Sequence, residues 1–169
     1  VHLFDAMPSV GRKFLLAGKG GLNLTHSEAL PAFVQRYGAR APQVNVRLDA
    51  FTPDALRDWA AALGVKTFIG SSGRVFPKDL KAAPLLRAWL HRLRGRGVVF
   101  HMRHRWRGWS DGGALRLASP QGEVHVQPRA TVLALGGASW PQLGSDGAWV
   151  PWLRAAGADV ATLAPANCG

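Results

Sequence analysis

The segment from Ala130 to Gly137 reads ATVLALGG, an unbroken apolar run that ends in two glycines. A strand with one solvent-facing side alternates apolar and polar residues, whereas a central strand of a parallel sheet is covered on both faces and is apolar throughout. This run therefore predicts a central parallel strand, and we expect the strand at Val1 to Asp5 to share its sheet. Because parallel strands need crossover connections, the predicted fold class is α/β.

Two helices are marked by the residues at their ends. Thr52 is an N-cap residue followed by proline and aspartate, and Gly64 ends the apolar helical pattern that follows. Pro84 opens a second amphipathic stretch, which Gly95 and Gly97 terminate. These signals predict one helix from the residue after Thr52 to Gly64 and another beginning at Pro84.

The remaining segments carry turn and strand signals. Gly11 to Glu28 contains too many glycines for one regular element and is predicted as a shaped loop. Val65 to Ile69 is a candidate short strand. From Val98 to Gln127 the apolar period is two and a Pro-Gln-Gly turn intervenes, which predicts a three-stranded antiparallel meander. Gly144 to Gly157 is predicted as a loop and a short helix with Pro151 in the first turn.

Composition limits the class of protein. The chain has 169 residues, 47% of them hydrophobic, and lacks any apolar run of the roughly 20 residues that cross a bilayer. Its single cysteine, Cys168, cannot form an internal disulfide, and its histidines show no metal-ligand spacing, so a cytoplasmic protein without a metal is expected. The net charge of +11 favours phosphate-bearing partners of any kind. The first residue is Val and the last residues have loop composition, so we expect a fragment that lacks both ends.

Asp5 follows the first apolar strand, where nucleotide-binding α/β units place an acid that binds ribose hydroxyls, about 20 residues after a GxGxxG turn. The chain contains no GxGxxG, so on this interpretation the turn precedes Val1. The alternative is a solvated aspartate at a strand end. The Gly-Lys pair at Gly18 is not a P-loop, because Gly20 stands where Ser or Thr must bind magnesium. No GxSxG hydrolase motif is present.

Three segments in this order, GRKFLLAGKGGLNLTHSE, GRVFPKDLKA and ALGGASWPQLGSDG, resemble the BaiN/YhiN-like flavoproteins, which are sometimes named for aminoacetone oxidase activity. The resemblance spans essentially the whole chain. It implies a partial Rossmann-like FAD-binding domain of the glutathione reductase type, with a β-meander at residues 98–127 and a further domain beginning at residues 160–169. Lys19, Gly21 and Leu22 replace a Gly, an Arg and a Cys of the usual family loop, which points to a divergent subgroup.

The resemblance also implies which residues bind the cofactor. Asp5 resembles the acid that holds the adenosine ribose, and Trp106 lies near where such folds touch adenine with main-chain atoms. Gly136 and Gly137 match a glycine pair at which a side chain would block the cofactor. The remaining implied residues come from the glycine-rich loop and from the loop after the late strand: Arg12, Lys13, Gly18, Gly20, Asn23, Thr25, Ser139 and Asp146, with Pro141, Gly144, Ser145 and Gly147 matching the same motif.

Two functions compete at this stage. The resemblance implies a FAD-dependent oxidoreductase, in which the flavin transfers a hydride or electrons to or from a small-molecule substrate, with NAD(P)H as the candidate electron donor and activity only in the full-length protein. The alternative is a basic nucleic-acid-binding module, suggested by seven arginines interleaved with aromatic residues between Arg87 and Arg107. Sixteen arginines against five lysines in the whole chain make that cluster a compositional bias, so neither nucleic acid nor a membrane is the expected partner. No catalytic acid or base is predicted.

Overall fold

A computed structural model describes residues 1–164 and divides the chain into two compact units. The first unit comprises Val1–Lys13 and the residues from Gly97 onward, and the second comprises Phe14–Arg96. Parallel and antiparallel sheets occur together with helices, so the predicted α/β class is confirmed. Of the segment in which a further domain was expected to begin, residues 165–169, including Cys168, lie outside the described residues.

The regular elements are, in chain order, β1 (His2–Asp5), α1 (Arg12–Ala17), β2 (Thr25–His26), α2 (Leu30–Gln35), α3 (Ala41–Ala50), α4 (Pro53–Ala61), β3 (Thr67–Ile69), β4 (Arg74–Pro77), α5 (Ala82–Gly95), β5 (Val99–Met102), β6 (Arg105–Trp109), β7 (Leu115–Ser119), β8 (Gly122–Val126) and α6 (Val150–Ala155). Short 3-10 turns cover Gly38–Arg40 and Pro141–Leu143. No helix among residues 1–164 is long and apolar enough to span a membrane.

The parallel sheet of the first unit consists of β1 and β5, with His2 opposite Val99 and Asp5 opposite Met102. The prediction that Ala130 to Leu135 pairs in this sheet is wrong, because that segment forms no strand and Val132 is 91% exposed. An apolar run specifies burial, but a strand also needs a neighbour that accepts and donates its backbone hydrogen bonds. Here β5 pairs with β1, and no described strand pairs with residues 130–135.

The meander of the first unit consists of β6, β7 and β8, paired antiparallel. Its first strand begins at Arg105 rather than at Val98, because Arg103 has a φ of +58° and interrupts the predicted strand. A left-handed residue turns the chain, so the residues before it join β1 and only those after it join the meander. Hydrogen bonds from Arg116 and His125 lower the pKa of Glu123 on β8 to about 2.

The core of the first unit is built from tryptophan rings and leucines. Trp106 on β6 contacts Trp109 edge-to-face at 4.8 Å between ring centroids, and Trp152 on α6 at 5.5 Å. Leu115 and Leu117 on β7 are buried in the same cluster. Each such edge-to-face pair stabilises the fold by about 0.5–1.5 kcal/mol beyond the contribution of the apolar area that it buries. This cluster fixes β6 against α6, where Pro151 lies in the first turn as predicted.

The second unit has a sheet in the order β2-β4-β3, whose strands β2 and β3 contact α4, and α4 shares a buried core with α5. The segment from Gly11 to Glu28 is not one regular element, as predicted, but the prediction that all of it is a shaped loop is wrong, since α1 and β2 occupy part of it. The glycines flank the helix-forming run from Arg12 to Ala17 and do not interrupt it, so one short helix fits between them. Helix α5 begins at Ala82 rather than Pro84, because a proline is tolerated in the first turn, where its missing N–H has no partner.

Helix α4 begins as predicted, and the hydroxyl of Thr52 accepts a hydrogen bond from the Ala55 amide at 3.0 Å. Replacing Thr52 by alanine leaves that amide without its acceptor, which costs about 1 kcal/mol. We expect Thr52→Ala to lower the melting temperature by about 2 to 4 °C, measured by far-ultraviolet circular dichroism. Thr52→Ser keeps the hydroxyl and should melt like the parent; equal melting of all three proteins would contradict the cap.

Candidate functional site

A cavity of about 280 Å³ lies in the first unit at the carboxyl end of β1. Ligands of open α/β folds bind outside the carboxyl ends of parallel strands, so this is the expected place for a site. Residues from β1, β6, α6 and the chain between residues 134 and 149 converge here. The side chains and backbone that line it are those of Phe4, Asp5, Ala6, Lys13, His104, Arg105, Trp106, Ala134, Leu135, Gly136, Leu143, Gly144, Ser145, Asp146, Ala148, Trp149 and Trp152.

Asp5, the last residue of β1, faces this cavity with a carboxylate that is already oriented. Its Oδ1 atom accepts a hydrogen bond from the Met7 amide at 2.8 Å, and its carbonyl oxygen accepts one from the His104 amide at 2.9 Å. Among residues 1–164, Oδ2 has no hydrogen-bond partner. The sequence left open a strand-end cap or a ligand-binding acid, and this geometry serves the first role while leaving one oxygen for the second.

Two polar contacts join distant segments at the cavity. The Lys13 ammonium donates to Ser139 Oγ at 2.5 Å, and the Arg105 guanidinium pairs with Asp146 Oδ2 at 2.8 Å. The hydrogen bond from the Ala148 amide is the largest cause that holds the pKa of Asp146 below its ordinary value. Arg105 also lowers this pKa, whereas partial burial raises it. Asp146 is thereby kept ionised and paired with Arg105. Lys13, in contrast, is bonded to the neutral hydroxyl of Ser139, which does not offset its positive charge.

Gly136 is a point of close backbone approach in the cavity wall. Its φ is +77°, and a Cβ there would lie 2.6 Å from Ser145 Oγ. Its carbonyl oxygen accepts a hydrogen bond from Trp149 Nε1 at 3.0 Å, so residues 136–149 form a loop closed at its base. Gly137 differs, because a Cβ there would meet no atom within 4 Å. The backbone conformation explains why position 136 is a glycine, whereas the structure leaves open space for a side chain at position 137.

Two buried polar atoms on cavity-lining residues lack protein partners. Trp106 is 8% exposed and Ser145 7%, and neither Trp106 Nε1 nor Ser145 Oγ has a hydrogen-bond partner among the described residues. Buried polar atoms are usually satisfied by protein, by water or by a ligand. Both atoms are themselves buried, so they are unsatisfied groups within the wall and not part of its accessible surface.

Five of the twelve predicted cofactor residues line the cavity, and a sixth, Ser139, is hydrogen-bonded to one of them, Lys13. These five are Asp5, Lys13, Trp106, Gly136 and Asp146. Arg12 and Gly137 belong to the first unit but are not in the lining. Gly18, Gly20, Asn23 and Thr25 belong to the second unit.

In the second unit, Gly18 has a packing explanation. A Cβ on Gly18 would lie 2.5 Å from Ala82 Cβ, so glycine is needed for the approach of the chain to the start of α5. Gly20 is exposed, and a Cβ there meets nothing within 4 Å. Thr25 lies in β2, paired opposite Val75. Asn23 is exposed just before that strand.

Arg105 and Trp149 were missed by reasoning from the sequence. The period-two pattern from Val98 predicts a strand that continues through Arg103, because the interruption there leaves no trace in the apolar pattern, and it gives Arg105 no role at a site. Trp149 precedes a short helix and carries no motif of its own. In residues 1–164 no group of three or more His, Cys, Asp or Glu side chains is arranged to hold a metal ion.

Comparison with protein families settles the relationship. Residues 1–166 match the family described as the HI0933-like protein Rossmann domain. The chain belongs to this family. HI0933-like domains are FAD-binding Rossmann domains, so the coarse part of the predicted resemblance is confirmed. A comparison of this HI0933-like chain with curated proteins gave no match.

The features of this HI0933-like domain fit part of a dinucleotide. Ligand pockets commonly measure about 300–1,000 Å³, and the cavity of about 280 Å³ is close to the lower end of this range. A free carboxylate oxygen and an ammonium group are the acceptor and donor types that a ribose and a phosphate require.

Proposed function

We propose that this chain forms part of the FAD-binding domain of a FAD-dependent oxidoreductase that acts on a small-molecule substrate. The observation that supports the proposal best is the convergence of Asp5, Lys13 and Gly136, from three separate sequence segments, on one cavity at the end of β1. The family supplies the cofactor class. When bound, the flavin supplies hydride or electron transfer, and the protein supplies binding and orientation.

The residues of the cavity would act as follows. Asp5 accepts hydrogen bonds from ribose hydroxyls through its free oxygen, while its bond to the Met7 amide holds the carboxylate in place. Lys13, held by Ser139, offers a positive charge to phosphate. Gly137 leaves room for the cofactor to pass, and Trp106 forms part of the apolar wall beside the adenosine. Asp146 acts on Arg105, whose guanidinium it holds in the cavity wall.

The glycine-rich segment would contribute the remaining cofactor contacts. Gly18, Gly20, Asn23 and Thr25 match the family loop that runs along the cofactor, and Arg12 stands at its start. Gly20 and Asn23 are exposed and accessible to a ligand, whereas Gly18 is buried against Ala82. We propose cofactor roles first for the exposed members of this loop.

The nucleic-acid alternative receives no support from the family relationship. The seven arginines are divided between the two units, and several already have partners. Arg92 donates to the Ala62 carbonyl, Arg105 pairs with Asp146, and Arg107 lies 6.0 Å from the centroid of the Trp152 ring.

The test replaces Asp5 by alanine in the full-length protein. Loss of the hydrogen bonds to ribose should weaken FAD binding tenfold to a few hundredfold, since hydrogen bonds to charged groups are worth about 1.5–3 kcal/mol each. Flavin fluorescence titration measures the affinity, and thermal melts confirm folding. Asp5→Asn keeps an acceptor for the Met7 amide, so a weakening shared by both variants reports the missing charge rather than a lost turn.

Asp58 supplies the matched control. It lies exposed on α4, and an exposed charge there contributes at most about 1 kcal/mol to stability and nothing to the cofactor site. Asp58→Ala should bind FAD as the parent does. If Asp5→Ala also binds FAD as tightly as the parent, Asp5 is not the ribose ligand and the assignment of this cavity must be withdrawn.

A further inference from the structure

Two histidines face each other across the parallel strand pair, outside the chemistry described so far. His2 on β1 and His101 on β5 have Nδ1 and Nε2 at 2.9 Å, with ring centroids 5.2 Å apart and planes inclined by 17°. With nitrogens this close and centroids this far apart, the rings lie end to end. One ring donates an N–H and the other accepts it through a bare nitrogen, so the contact is an imidazole–imidazole hydrogen bond.

Two aromatic rings pack against His101 in this contact, whereas His2 is exposed. The Phe4 ring lies parallel to His101 with centroids 4.5 Å apart, and the His104 ring meets His101 edge-to-face at 5.6 Å. The charged groups that act on His101 are His2 from β1 and His104 from the chain after β5, and no carboxylate is among them. Among residues 1–164, the side chains that shift the pKa of His101 are therefore other imidazoles, which oppose an added proton.

We propose that the His2–His101 hydrogen bond is an acid-sensitive fastening between β1 and β5. A single additional proton can be shared, because an imidazolium N–H still donates to a neutral imidazole. When both rings are protonated, neither nitrogen can accept, and two positive charges face each other across the strand pair. The contact then changes from attraction to repulsion.

The sign of the pH dependence follows from the folded environment. The pKa of His101 lies below its ordinary value of 6.5. Partial burial is the largest cause, followed by His2 and then by His104. The unfolded chain therefore binds more protons than the folded chain as the pH falls below 6.5. The stabilisation is fully present above that pH and is lost as the pH falls through the lower, folded-state pKa.

The fastening lies next to the cavity. Phe4, which stacks on His101, lines the cavity together with Asp5 and His104. The His104 amide also donates to the Asp5 carbonyl oxygen at 2.9 Å. Acid that separates β1 from β5 would displace this wall and weaken retention of a ligand. This consequence for FAD rests on the proposed function, whereas the fastening itself does not.

The first experiment measures melting temperatures at pH 7.5 and pH 5.0 without FAD, for the parent, His101→Phe and His91→Phe. Phenylalanine keeps a ring for Phe4 to stack on but cannot titrate. We expect the melting temperature of the parent to fall further than that of His101→Phe between the two pH values, because the unfolded parent takes up a proton that the folded parent resists. His91 is exposed on α5, so its variant should behave like the parent.

The second experiment follows the His101 ring signal by NMR from pH 8 to pH 4. In His2→Gln the neutral amide replaces one imidazole, so the His101 pKa should rise toward 6.5. An unchanged His101 titration in His2→Gln, or equal acid losses in the parent and His101→Phe, overturns the proposal. If both results hold but FAD retention does not fall with pH in step with melting, the fastening stands and the assignment of the cavity to FAD fails.

Discussion

Gly136→Ala is expected to destabilise the protein by about 2 to 4 kcal/mol, because two unfavourable effects combine. The residue has a φ of +77°, which an alanine adopts only with strain, and its new Cβ would lie 2.6 Å from Ser145 Oγ. The Ser145 hydroxyl must rotate in surroundings where Ser145 is 7% exposed. We expect a melting temperature lower by about 5 to 15 °C, measured by circular dichroism, together with reduced FAD binding.

Ser145 and Gly137 provide the controls for this experiment. In a Ser145→Ala background the clash is absent, so Gly136→Ala should cost only the backbone strain, and a double-mutant cycle separates the two contributions. Gly137→Ala places a methyl in open space and should change stability by less than about 0.5 kcal/mol. If FAD passes Gly137, this second variant retains its stability and still loses FAD affinity. Equal stability of Gly136→Ala and Gly137→Ala would contradict the geometry.

Gly18→Ala is expected to cost about 3 kcal/mol, at the upper end of the usual range for overpacking. The added Cβ would lie 2.5 Å from Ala82 Cβ and 3.4 Å from the Ala82 amide nitrogen, neither of which can rotate away. The first turn of α5 must shift, and the core that contains Ala82 and Leu85 must shift with it. Chemical denaturation of the parent and variant measures this loss.

Two further variants test the cause of that loss. Gly20→Ala, in the same glycine-rich segment, meets nothing within 4 Å and should unfold like the parent. Ala82→Gly combined with Gly18→Ala moves the methyl group to the other side of the contact and should recover most of the stability. Gly18→Ala with parental stability would show that Gly18 and Ala82 are not as close as described.

The predictions that succeeded rest on local signals. Helix α4 is specified by the Thr52 cap and the glycine at position 64, and the turn before Gly122 joins β7 to β8. The failed predictions depend on distant partners. The run from Ala130 to Leu135 has the composition of a central strand, but composition does not say which strand pairs with β1.

The candidate site was predicted in the same uneven way. The family resemblance pointed to Asp5 and Gly136, and both line one cavity, although their cofactor roles stay predictions. It could not supply the contacts across the chain. Arg105 is hydrogen-bonded to Asp146, 41 residues later in the sequence, and Trp149 is hydrogen-bonded to Gly136, 13 residues earlier. Neither pair has a local pattern, because each depends on where the chain turns at Arg103 and at Gly136.

The hydrogen bond from the Met7 amide to Asp5 changes the entropy of binding for any ligand of this cavity. A free carboxylate side chain samples several rotamers, and immobilising a side chain on binding opposes affinity by about 0.5–1.5 kcal/mol. In this protein the immobilisation takes place during folding, because Oδ1 is already held at 2.8 Å. The ligand therefore meets a preorganised acceptor, and the ordering of that side chain is a property of the empty protein rather than of the complex.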